Sequence, residues 1–280
     1  MRHYIALALA AFVFCSNSIA QTFQPYQMPN SQVIPISDSK AGKQYELYIK
    51  LPDDYAENAE KTYPVLYYTD AVWHIDILSA ATSFLLDEVI LVGISWQKDV
   101  SEDLKQEYGE SASRFSDYSF WTKVNPNHPK LKFGGANKHL DFLTHDVIPY
   151  VEKHFRIDKT KRSYFGYSLS GLFGAYVLVK APKTFDNYIL GSASMRLLLD
   201  ESAPTFHPLG DVDANVLFTR GDQEIDRAEH IAAFVTQLKT KNSPQKLSSL
   251  MVIPGNHQTA FPETGIASIK WLADIVKEAE

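Results

Sequence analysis

The feature that most restricts the fold is the run Arg162-Ser-Tyr-Phe-Gly-Tyr-Ser-Leu-Ser-Gly-Leu-Phe-Gly-Ala-Tyr176. Tyr164 and Phe165 read as the end of an apolar strand, Gly166 to Ser170 as a tight turn, and Gly171, Leu172, Ala175, Tyr176 and Leu178 as the apolar face of a helix. A strand, a sharp turn and a helix around a central serine make up the nucleophile-elbow pattern, G-x-S-x-G. The turn strains its central residue, so small neighbours are needed on both sides. The Ser168 hydroxyl then stands clear of the sheet, at the positive end of the following helix. Ser170 fills the fifth position, where the pattern has Gly, and a frame centred on Ser170 would need Gly at 168. Ser168 is therefore the predicted nucleophile. Glycine and serine are common in turns, so these residues alone also suit an ordinary strand-to-helix turn.

The remaining elements set that turn in a larger pattern. Residues 33–36 and 44–51 alternate apolar and polar, as in an antiparallel hairpin. Residues 63–69, 185–191, 215–221 and 247–253 read as further strands, and 89–95 as a nearly continuous apolar run suited to a central parallel strand. Helical periodicity covers 75–86, 138–155, 227–239 and 266–279. An opening antiparallel pair followed by alternating strands and helices predicts an α/β fold, a mostly parallel central sheet with helices on both faces, in one domain over 21–280. Residues 97–135 read as a long irregular cap or substrate loop. His139, His145 and His154 lie on or near the 138–155 helix. They include no i,i+4 pair, so they read as solvated or capping histidines rather than metal ligands.

The chain has 280 residues, 45% hydrophobic and 21% charged, which suits a single large core. The net charge of −6 is spread without basic runs, which argues against nucleic acid or anionic membrane as partners. Residues 1–20 read as a secretory signal peptide. Arg2 and His3 precede an apolar stretch from Tyr4 to Cys15, and Ser18-Ile19-Ala20 suits cleavage before Gln21. The apolar stretch falls short of the roughly 20 residues that span a bilayer. Cys15 is the only cysteine, so the mature chain would have no disulfide, cysteine nucleophile or cysteine metal site. A secreted chain without disulfides points to a bacterial periplasm.

A serine nucleophile needs a histidine base and a carboxylate to orient it. After the elbow, only His207, His230 and His257 are available, and His257 alone sits in a loop between a strand and the final helix. Gly221-Asp222-Gln-Glu224-Ile-Asp226 offers three carboxylates after one strand. Asp226 reads as the cap of the following helix, Asp222 is nearest the strand, and Glu224 reaches further. The order Ser, acid, His is that of α/β-hydrolases. The oxyanion donors are expected to be the Leu169 N–H and the N–H of Ala71 or Val72, in the loop after strand 63–69. Asp70, Ser168, Glu224 and His257 each follow a predicted strand, so they share the rim where such sheets bind ligands.

Taken together, these segments resemble the esterase family of α/β-hydrolases that includes the enterobactin and bacillibactin trilactone esterases and the esterase D-like enzymes. The resemblance rests on Tyr63-Pro-Val-Leu-Tyr-Tyr-Thr-Asp70, on Arg114 with Asp117-Tyr118, and on Gly134-Gly-Ala136. It continues through Phe142-Leu143, Ile148-Pro-Tyr150, Gly166-Tyr-Ser-Leu-Ser-Gly-Leu172, Phe185 with Tyr188, and Ser192-Ala-Ser194. Gly221-Asp-Gln-Glu224 and Gly255-Asn-His257 complete it. It implies an α/β-hydrolase fold, ester hydrolysis without metal or cofactor, and Glu224 rather than Asp222 as the acid. It also implies a small-molecule ester substrate such as a catecholate siderophore lactone, with Trp73, Trp96, Tyr118 and Trp121 as stacking surfaces and Arg114 near its negative charge. Acyl transfer, feruloyl or acetyl esterase activity, and ligand binding without turnover are the alternatives. Ser170 and Ala71 stand where the family has glycine, and both are expected to narrow the rim.

Overall fold

The computed structural model describes residues 25–122, 125–201 and 207–278. The segment read as a signal peptide lies outside these. Eight strands form one sheet in the order β1-β2-β4-β3-β5-β6-β7-β8. They are β1 (Ser31–Ser37), β2 (Gln44–Lys50), β3 (Tyr63–Thr69), β4 (Ile90–Ile94), β5 (Ile157–Tyr167), β6 (Asn187–Gly191), β7 (Asn215–Gly221) and β8 (Ser248–Ile253). β1 pairs antiparallel with β2, and β2 antiparallel with β4; every later pairing is parallel. β4 and β6 are buried along their whole length. That is why the β4 segment reads as a nearly continuous apolar run rather than as an alternating one.

Helices cover both faces. Against one face lie α1 (Ala71–Leu85) and α9 (Phe261–Glu278), over a core that includes Leu66, Tyr68, Leu78, Phe165, Ile189, Leu217, Ile269 and Leu272. The opposite core includes Tyr67, Val92, Leu143, Val147, Phe173, Leu190, Phe218 and Phe234. It is covered by α4 (Ala136–Phe142), α5 (Ile148–His154), α6 (Leu169–Lys180) and α8 (Ile225–Lys241). Two layers of helix around a parallel sheet leave only the strand ends free for a site.

Three expectations are corrected. The 138–155 helix is two α-helices joined by a π-helical turn, Leu143–Val147. His139 is not solvated. It is 3% exposed, among Tyr45, Tyr118, Phe142 and Phe173, and both its ring nitrogens lack hydrogen-bond partners. Burial lowers its pKa, so it packs as a neutral ring. Residues 97–135 are not irregular throughout. They include α2 (Glu102–Tyr108) and α3 (Arg114–Asp117), and Ala112, Asp117, Tyr118, Phe120 and Leu131 are buried. Phe120 stacks on Tyr176 of α6 at 5.4 Å, which seats this segment on the main body. A short helix, α7 (Arg196–Leu199), follows β6.

Candidate active site

The elbow is sharp because Ser168 takes φ 60° and ψ −120°, a region an L-residue enters at a cost of about 1–3 kcal/mol. Its N–H donates to Gly191 O at 2.8 Å, which anchors the turn to β6. Two glycines make the turn possible. A Cβ on Gly166 would strike the Ser170 carbonyl, and one on Gly171 would lie 2.8 Å from Gly191 O. Gly171 thus provides the close helix-to-strand approach. Ser170 does not narrow the rim as expected. It is 0% exposed, and its hydroxyl accepts from Tyr167 N and donates to Tyr167 O, both at 2.9 Å. Ala71, 1% exposed, faces the α1–α9 core and leaves the rim unaltered.

The strand ends bring Ser168, His257 and Glu224 into line. His257 Nε2 lies 2.8 Å from Ser168 Oγ, and its Nδ1 lies 2.6 Å from Glu224 Oε1. Glu224 is buried, and each of its oxygens is held. Oε2 accepts from Ser192 Oγ at 2.6 Å and from Gly221 N at 2.7 Å, and Oε1 also accepts from Arg227 Nη1 at 3.1 Å. Burial pushes this carboxyl up, but donation from Ser192, Gly221 N–H and His257 outweighs it and holds the group below the usual carboxylate range. Asp222 is elsewhere. It is exposed, and its Oδ1 accepts from Gly255 N at 2.8 Å, bracing the His257 loop. Asp226 does not cap α8 either. The helix starts at Ile225, with Glu224 as the capping residue, so Asp226 falls in the first turn. The backbone of the His257 loop is held from behind: Tyr167 Oη donates to the His257 carbonyl at 2.8 Å and lies 3.0 Å from Ser192 Oγ.

Asp70 ends β3 at φ 56° and turns the chain into α1. The N–H groups at the first positions of a helix have no intrahelical acceptor, so those of Ala71, Val72 and Leu169 are unclaimed by their own helices. The Asp70 carboxylate is 0% exposed and fully engaged. It accepts from Arg114 Nε at 3.1 Å, Arg114 Nη2 at 2.8 Å and Trp96 Nε1 at 2.6 Å. Burial raises its pKa, but the Arg114 charge and hydrogen bonds win and the carboxyl is held low. Arg114 therefore acts as a clamp on the turn before Ala71 and Val72, with two of its five donors given to Asp70. The sequence showed both residues but not that positions 44 apart would pair.

Two clefts open on Ser168. One, of about 640 Å³, is lined by Val72, Trp73, His74, Arg114, Tyr167, His257, Gln258 and Phe261. The other, of about 280 Å³, is lined by Trp121, Leu169, Leu172, Ser192, Ser194, Arg196, Leu197 and Arg227. Trp73 and Trp121 thus line different clefts, each shared with the serine. Tyr118 is 1% exposed beneath Asp70, whose N–H donates to its hydroxyl at 3.4 Å, so it offers no surface for stacking. Trp96 is 9% exposed, edge-on to Trp73. His74, Phe261, Arg196 and Arg227 carry no sequence motif and were not expected in the site. Burial lowers the His74 pKa to about 4, so its ring is neutral at neutral pH. Among the described residues, no group of three or more His, Cys, Asp or Glu is arranged to hold a metal ion.

A parallel sheet with an elbow serine, a histidine and a buried carboxylate at its strand ends defines the α/β-hydrolase fold class. The sequence profile described as "Putative esterase" matches residues 39–214, more than half of the chain, and the chain belongs to that family. Ferri-bacillibactin esterase BesA of Bacillus subtilis is 27% identical over 188 residues, 62% of this chain and 62% of the relative. Siderophore triacetylfusarinine C esterase of Aspergillus fumigatus is 25% identical over 184 residues, 61% of this chain and 58% of the relative. Neither match spans two thirds of the relative's own length. The BES protein from Bacillus cereus shares the fold at TM-score 0.70 and 19% identity, over 90% of this chain and 99% of that one.

Proposed function

We propose that this chain hydrolyses carboxylic esters through an acyl-enzyme, with Ser168 as nucleophile, His257 as base and Glu224 as the acid that orients it. The reading is carried by the unbroken line from Glu224 Oε1 through both ring nitrogens of His257 to Ser168 Oγ, where the two clefts meet. An ionised Glu224 can only accept, so Nδ1 carries the ring proton and Nε2 is free to take one from Ser168. Oγ attacks the ester carbonyl carbon as its proton passes to Nε2. The carbonyl electrons move onto oxygen, between the N–H of Leu169 and that of Ala71 or Val72. Collapse restores the carbonyl and breaks the bond to the alcohol oxygen, which leaves with the Nε2 proton. Water then repeats the sequence, releasing the acid and regenerating Ser168. The depressed Glu224 carboxyl stays ionised throughout and stabilises the imidazolium.

For the substrate, we infer a siderophore lactone. Two relatives are named as siderophore esterases, and the larger cleft has aromatic walls in Trp73, Tyr167 and Phe261 that suit planar aryl groups. Residues 1–20 as a signal peptide and 21–280 as one hydrolase domain would put this activity outside the cytoplasm, in the periplasm of a bacterium. The test is a panel of siderophore lactones, feruloyl esters, acyl-CoA and short nitrophenyl esters, against wild type and Ser168→Ala. Highest kcat/KM on a siderophore lactone, abolished in Ser168→Ala, is expected. Tight lactone binding without turnover, equal in both proteins, would replace the hydrolase reading with a binding one.

A further inference from the structure

The smaller cleft contains a cation with no partner among the described residues. Arg196, the first residue of α7, lines it and is exposed. Among the described residues, Arg196 makes no ion pair and no side-chain hydrogen bond. Arg227 lies in the same cleft, already joined to Glu224 Oε1 at 3.1 Å and to Asp226 at 3.7 Å, with its Nε buried and unpartnered. Trp121, Leu172 and Leu197 give the cleft apolar walls, and no acidic residue lines it. An unpaired arginine on an open surface is ordinary. One at a cleft that opens on the serine and lacks a counter-charge is suited to an anion that arrives with the substrate.

The geometry of the proposed reaction says which half of the substrate that is. His257 Nε2 must reach the leaving oxygen to protonate it. His257 lines the larger cleft and not the smaller one, so the alcohol half belongs in the larger cleft. The acyl half then extends into the smaller. We infer that the cleft beside α7 is an acyl subsite in which Arg196 favours acyl groups that carry an anion, a carboxylate being the simplest. This rests on the serine-hydrolase reading and adds the class of acyl group.

The test compares the para-nitrophenyl monoester of adipic acid with para-nitrophenyl hexanoate, which share leaving group and acyl length and differ in terminal charge. In wild type, kcat/KM is expected to favour the adipate by about tenfold or more. In Arg196→Gln the ratio falls to near one, and in Arg196→Glu it drops below one. The wild-type preference also shrinks as salt is raised, since the subsite is open to solvent. Arg196 is exposed, so neither variant is expected to shift the melting temperature. Turnover of both esters without charge preference, or a preference unchanged in Arg196→Gln, overturns the subsite alone. If wild type cleaves neither ester but turns over a siderophore lactone, the subsite fails and the hydrolase reading stands; if it cleaves none of these, both fail.

Discussion

The strand-end rim that carries Ser168, Glu224 and His257 and the 97–135 segment meet at Asp70, and they are built on different principles. On the rim, each group is held within hydrogen-bond reach of the next by short loops. His257 remains partly exposed, its side chain 27% accessible against 3% for Glu224. In the segment, Arg114 and Asp117 turn their polar groups inward. Arg114 reaches Asp70, and Asp117 accepts from Lys43 at 3.1 Å, Tyr45 at 3.1 Å and Gln97 at 2.9 Å. The rim leaves its polar groups open to the two clefts, whereas the segment uses Arg114 to fix the loop proposed to carry the second oxyanion donor. Changes on the rim should therefore lower activity and spare stability, and changes in the segment should lower both.

The largest contrast is expected within the rim. Glu224→Gln keeps the shape but removes the charge, and should lower kcat by roughly 10²–10⁴-fold. Asp222→Asn, at an exposed loop brace, should stay within about threefold of wild type. Steady-state hydrolysis of one nitrophenyl ester checks both; the reverse ranking would make Asp222 the acid. Next in size is Arg114→Ala, which strands a buried carboxylate and should destabilise the protein by about 3–5 kcal/mol. Urea denaturation measures this, and kcat should fall with it if the clamp holds the donor. Lost activity at unchanged stability would assign Arg114 to the substrate instead.

The smallest effect concerns pH. Burial lowers the His74 pKa from 6.5 to about 4, so the unfolded chain takes up this proton first as pH falls. The stability from its neutral folded ring is complete above about 6.5 and is lost progressively down to about 4, to a total of about 3 kcal/mol. Denaturation at pH 7 and pH 4.5 should show a gap that narrows in His74→Gln. An equal gap in both proteins would deny His74 this role.

Much of the rim was legible in the sequence because its chemistry demands residue types at fixed places. A strained turn requires Gly166, and the histidine and acid must follow later strands. The choice of Glu224 over Asp222 came from family resemblance, since side-chain reach across a loop is not written in spacing. The segment was less legible because its residues act through distant partners. Tyr118, read as a stacking surface, lies buried beneath Asp70, and Arg114, read as facing substrate, lines the larger cleft while clamping Asp70. His139 looked like a surface histidine on an amphipathic helix, until Phe173 and Tyr118 closed over it. Ser170 looked like an intruder at the rim, while Gly171 provided the close approach expected one position earlier. Arg196 and Arg227 belong to no motif, and only the packing of α7 and α8 beside the elbow brings them to the serine.

The central claim, that Ser168 is activated by His257 and Glu224, is tested most directly with a fluorophosphonate probe and mass spectrometry of the folded protein. One adduct at Ser168, absent in Ser168→Ala and formed far more slowly in Glu224→Gln, is the expected result. No adduct on folded wild type, or an adduct that persists in Ser168→Ala, would contradict it.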